Sequence, residues 1–185
     1  MELIAAFSPC PNDTYIFDAL INKRIDTNPY RFIPHIADVE KLNMTVVDYM
    51  PDITKLSVFA YLKLTDKYQI LTAGSAIGEN CGPLLISKRK IFPDEIADCK
   101  IAIPGKNTTA FLLLNILFPE LKNSNKIREY LFSDIEEVVL SDECDAGLII
   151  HETRFTYKTR GLKLIADLGK KWETKYDLPL PLGLI

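Results

Sequence analysis

The sequence predicts a layered α/β fold with two lobes separated by a cleft, and three observations point there. Short apolar runs alternate with helical patterns in β-α-β-α order, the mark of a mainly parallel sheet covered by helices. The texture changes at "GENCGPLLISKR", where two glycines and Pro83 interrupt the pattern. A second set of strands and helices then begins. The expected division is lobe 1 over residues 1–82, lobe 2 over 83–176, and a crossover over 177–185 that returns toward lobe 1.

Each element has its own warrant. Leu3–Phe7 reads as the first strand, ended by Pro9 and Pro11. From Thr14 to Lys23 the residues Ile16, Phe17, Leu20 and Ile21 share one helical face, with Asn12 or Asp13 placed to cap. Tyr30–Ile36 and Ile53–Ser57 read as strands, followed by a helix through "VFAYLKL" and a strand-like "YQILTAG". In the second set, strand "KIAIPG" leads into "KNTTAFLLLNILFPE", a helix with no wet face. "REYLFSD" is expected as a strand, "IEEVVLSDEC" as a short helix, and "AGLIIH" and "LKLIADLG" as core strands. "KKWETKYDLPLPLGLI" is expected to be an extended, proline-rich crossover.

Composition narrows the function. A chain of 185 residues, 48% apolar and 10% aromatic, can bury real cores. A net charge of −3 without a basic run argues against nucleic acid as a partner. The opening "MELIAAFSPCP" lacks a basic segment and a long apolar run, and no later stretch approaches a membrane span. Cys10, Cys81, Cys99 and Cys144 lack the short paired spacings of a zinc site, so reduced thiols in a cytoplasmic protein are expected.

Ligands of open α/β sheets bind beyond the carboxyl ends of strands, and four such ends carry polar groups. "PGKNTT" places Asn107, Thr108 and Thr109 at the mouth of the apolar helix, where unpaired N–H groups attract a carboxylate or phosphate. Plain helix capping explains the same residues. His151 ends an apolar strand and is a natural general base, although the residues alone favour a strand-end histidine bonded to a backbone carbonyl. "TKLS" offers Lys55 and Ser57 on one strand face; a snorkelling amine at a sheet edge is the alternative for Lys55. In "SPCPND", Ser8, Asn12 and Asp13 either meet a ligand or serve the turn, and Cys10 has little to activate it as a nucleophile. His35 reads as structural.

Taken together, "FSPCPNDTYIFDAL", "DITKLS", "CGPLLISK", "IAIPGKNTTAFLLL", "DAGLIIHETRFTY", "GLKLIADLG" and "LPLPLG" resemble the 1,4-dihydroxy-6-naphthoate synthases of the futalosine route to menaquinone. The resemblance runs from the first strand to the final residues. It implies the two-lobed fold of type 2 periplasmic binding proteins, used as an enzyme without metal or organic cofactor. It implies a lyase that converts cyclic dehypoxanthine futalosine, a small carboxylate, into 1,4-dihydroxy-6-naphthoate and dihydroxyacetone. The family's general base falls on His151, and its substrate-binding segments fall on Lys55, Leu56 and Ser57 and on Thr108 and Thr109. Members of the family continue well past "LPLG", so lobe 1 is expected to be truncated at its C-terminal part, with a homodimer, a domain swap or loss of activity as consequences. The alternatives are the sister enzyme that dehydrates chorismate, a non-catalytic receptor for small acids on the same fold, and a truncated relic.

Overall fold

A computed structural model describes residues Met1–Ile185. The chain forms two compact units, Met1–Ala76 with Gly183–Ile185, and Ile77–Leu182.

In the first unit, β1 (Glu2–Phe7) is the centre of a three-stranded parallel sheet, between β2 (Arg31–Ile36) and β3 (Ile53–Thr54). α1 (Pro11–Ile21) begins three residues before the predicted start, because Pro11 at the first helical position is already preset for helix. Neither Asn12 nor Asp13 caps it; Cys10 stands at the cap without a side-chain bond. Phe17 of α1 stacks on Phe7 of β1, ring centroids 4.4 Å apart, and with Ala5 forms a small core. α2 (Val39–Tyr49) was not anticipated: Asp38 caps it by accepting from the Glu40 N–H, and Leu42 and Val46 are buried one turn apart. The predicted strand Ile53–Ser57 breaks at Lys55 into β3 and β4 (Leu56–Ser57), and α3 (Val58–Tyr61) is a single turn. "YQILTAG" is irregular rather than a strand, and β5 (Ala76–Gly78) follows it.

The second unit is built on a five-stranded mixed sheet in the order β10-β6-β9-β7-β8. Its strands are β6 (Leu84–Ser87), β7 (Ile101–Ile103), β8 (Ile127–Glu129), β9 (Ala146–Ile149) and β10 (Lys163–Asp167). β7 runs parallel to β8 and β9, whereas β6 is antiparallel to β9 and β10. Side-chain alternation makes two cores. Leu85, Ile101, Ile103 and Leu148 join α4 (Thr109–Leu117), while Leu84, Ile86, Ala102 and Ile149 join α5 (Ile135–Leu140). That burial on both faces is why these strands read as unbroken apolar runs. No residue of α4 is exposed, as its sequence requires. β8 ends at Glu129, earlier than "REYLFSD" suggested. α6 (Thr153–Thr156) is one turn, and α7 (Leu168–Tyr176) replaces the first part of the expected extended crossover. β11 (Leu180–Leu184) closes the chain; its Gly183 and Leu184 pair antiparallel with Ser57 and Leu56. No helix is long and apolar enough to cross a membrane.

Candidate functional site

The polar groups of the first unit gather around the ends of β1 and β3. Asp13, in the first turn of α1, turns back so that one carboxylate oxygen accepts from the Ser8 hydroxyl at 2.7 Å and from the Ser8 N–H at 3.2 Å. Its other oxygen lies 3.9 Å from the Lys55 ammonium, and both side chains are buried. Lys55 also donates to the Gly74 carbonyl at 2.6 Å, and its own N–H donates to the Ala6 carbonyl. The amine therefore does not snorkel. It is enclosed, as a buried charge must be when it has partners. Burial pushes its pKa below the ordinary value, opposed by the Asp13 carboxylate and, more weakly, the Cys10 thiol.

Two residues on, Ser57 faces α2. Its N–H donates to Asn43 Oδ1 and its Oγ accepts from Asn43 Nδ2, both at 3.0 Å. Leu56 is buried between these polar positions and packs with Val46 and Leu64. Asn12 is exposed, one residue before the buried Asp13. The structure thus joins Ser8 and Lys55 through Asp13, sets Ser57 in a separate pair with Asn43, and leaves Asn12 outside both. Sequence spacing carried no sign of Asn43, which meets Ser57 only because α2 packs against β4.

In the second unit, Thr108 is the N-cap of α4: its hydroxyl accepts from the Phe111 N–H at 3.2 Å and donates to the Gly105 carbonyl at 2.7 Å. The Thr109 hydroxyl donates to the Leu182 carbonyl at 2.9 Å. Both hydroxyl protons are thus directed at main-chain carbonyls. The first-turn backbone N–H groups of such a helix end carry a partial positive charge. Asn107 is half-buried one residue before the cap.

His151 sits just past β9 in a left-handed backbone conformation, φ +59°. Histidine tolerates this region better than most residues, but it still stores about 1 kcal/mol or more. The turn diverts the chain before Glu152, which is exposed, so the two side chains are not strand neighbours. The imidazole packs edge-on against Phe132, with ring centroids 5.0 Å apart. The turn is held from behind. Arg154 N–H donates to the His151 carbonyl at 3.4 Å, and its guanidinium reaches Asp167 at 2.5 Å and the Gly82 carbonyl at 2.8 Å. Arg154 and Phe132 were not singled out from the sequence. The adjacency of Arg154 in "HETR" was the one available signal.

This architecture defines a class first. The fold is that of the periplasmic binding proteins: the alkanesulfonate-binding protein SsuA from Xanthomonas axonopodis superposes with a TM-score of 0.65 at 14% identity, over 95% of this chain and 68% of that one. A crystal structure of a protein from Archaeoglobus fulgidus superposes with a TM-score of 0.90 at 37% identity, over 99% of this chain and 66% of that one. The chain belongs to the menaquinone biosynthesis family, whose profile matches residues 3–185. It is 41% identical to a 1,4-dihydroxy-6-naphthoate synthase of Thermus thermophilus, over 97% of this chain and 63% of that protein. It is 35% identical to the Streptomyces coelicolor enzyme of the same name, over 97% of this chain and 64% of that protein. The chain therefore spans a little under two thirds of the length of these relatives.

Proposed function

We propose that this chain acts in the 1,4-dihydroxy-6-naphthoate synthase reaction, cleaving cyclic dehypoxanthine futalosine to 1,4-dihydroxy-6-naphthoate and dihydroxyacetone. The observation that carries the reading is the identity to two enzymes of that name, which extends across both units. The local geometry is compatible with it. In this reading His151 is the general base. A partly buried imidazole, held on a braced turn, suits removal of a proton from a carbon of the substrate. The carbon–carbon bond then breaks, and its electrons complete the aromatic ring, which supplies much of the driving force. Lys55, Leu56 and Ser57 of the first unit, and Thr108 and Thr109 at the head of α4, are assigned to substrate binding.

The test is direct. Purified protein incubated with cyclic dehypoxanthine futalosine should release naphthoate and dihydroxyacetone in equal amounts, followed by chromatography. His151→Ala should lower kcat by about 10²–10⁴-fold while substrate still binds in a titration. Undiminished turnover in that variant removes His151 from the role, and absence of product from the unaltered protein rejects the activity.

A further inference from the structure

The four candidate hydroxyls differ in where their protons go. Ser8 donates to Asp13, Thr108 to the Gly105 carbonyl and Thr109 to the Leu182 carbonyl. Ser57 is the exception, and Asn43 is the reason. The Ser57 backbone N–H can only donate, so the group it meets at 3.0 Å must be the Asn43 carbonyl oxygen. That settles which way the amide lies, and its NH2 then faces Ser57 Oγ at 3.0 Å. The second NH2 hydrogen points toward Glu40 Oε2 at 3.4 Å. Ser57 Oγ is therefore obliged to accept from Asn43, and its own proton is turned outward from the pair. Glu40, Asn43 and Ser57 are 7%, 6% and 6% exposed, so water does not readily average these directions away.

We propose that Asn43 is a specificity-determining residue that works through Ser57, setting it as a hydrogen-bond donor so that the substrate atom it meets is a carboxylate or carbonyl oxygen. The inference rests on the reading of Ser57 as a substrate-binding residue and deepens it. A buried hydroxyl proton without an acceptor is costly, and an anionic oxygen is the acceptor that gains most from it. A ligand that offers only a hydrogen at the same place leaves the Ser57 proton unanswered and binds less well.

Asn43→Asp tests this with almost no change of shape. An aspartate accepts from the Ser57 N–H as before, but it also accepts the Ser57 hydroxyl proton, so the serine presents lone pairs instead. Glu40→Gln/Asn43→Asp is the companion variant, because it avoids two adjacent carboxylates. Two probes are titrated by fluorescence: 1,4-dihydroxy-6-naphthoate, and the neutral analogue in which a hydroxymethyl group replaces the carboxylate. The expected result is that both aspartate variants bind the carboxylate about tenfold more weakly, the worth of one charge-assisted bond, and keep the affinity for the alcohol. Ser57→Ala should lose carboxylate affinity to a similar extent, and adding Asn43→Asp to it should lose no more. A general structural injury would weaken both probes alike. Aspartate variants that still prefer the carboxylate while Ser57→Ala has lost that preference overturn the role of Asn43 and leave Ser57 in place. Ser57→Ala binding the carboxylate as the unaltered protein does overturns the serine reading and the inference together.

Discussion

Lys55 holds an ammonium where water cannot reach it, and its stability is a matter of two partners. Replacing Asp13 by Asn leaves that charge with the Gly74 carbonyl alone, and breaking a buried pair in this way should cost about 3 kcal/mol in urea unfolding. Lys55→Met leaves the Asp13 carboxylate without its cation but still bonded to the Ser8 N–H and hydroxyl, so it should cost less than Asp13→Asn. The lowered pKa also carries a pH signature. The unfolded chain holds the Lys55 proton up to its ordinary value of 10.5, and the folded chain releases it earlier, so between the two values the unfolded state binds more protons. Stability relative to Lys55→Met should therefore rise as pH increases toward 10.5; a flat or falling difference contradicts it. At this scale the sequence named Ser8, Lys55, Ser57, Thr108 and His151 by type and strand-end position. It did not name Asn43, whose partner Ser57 lies 14 residues away, or Arg154, whose guanidinium reaches the Gly82 carbonyl 72 residues back.

At the scale of elements, α4 and β9 are where sequence and structure agree most closely, and each has a single sensitive position. Thr108→Ala deprives the Phe111 N–H of its acceptor and should cost about 1 kcal/mol in thermal or urea unfolding. Gly147 lies on β9 under α5, and a Cβ there would stand 2.6 Å from Ile135 and 2.9 Å from Val139. Gly147→Ala should lose about 1–3 kcal/mol through overpacking, and it should cost less in an Ile135→Ala background, which takes away the Cγ2 methyl in closest approach. The buried strands were legible because uninterrupted apolar runs admit few other readings. Two helices were not. In α2 the run Thr45-Val46-Val47 favours strand intrinsically, and only packing of Leu42 and Val46 overrides it. In α7 the prolines downstream dominated the reading, whereas Asp167 caps the helix through the Lys170 N–H and Trp172 packs on Tyr176 one turn along.

At the scale of the whole molecule the two units are unequal. The second buries two extensive clusters on the two faces of its sheet, while the first has clusters of three buried residues each. Amide hydrogen exchange should follow that difference: β1 and β3 should exchange before β7 and β9, in separate cooperative steps. Uniform protection across both sets of strands would contradict it. The change of texture at "GENCGPLLISKR" pointed to two units with a boundary after Gly82, whereas the chain divides after Ala76. A return of the chain end toward the first unit was expected from the sequence, but not the pairing that makes it, with Gly183 opposite Ser57 and the Leu71 N–H bonded to the Ile185 carbonyl. A ribosome delivers residues in order, so the strand that seats itself beside Ser57 emerges only after every residue of the second unit has been made. The nascent first unit must wait, open along one border, until its neighbour in the message has been translated; chaperone demand in the cell should therefore concentrate in that interval.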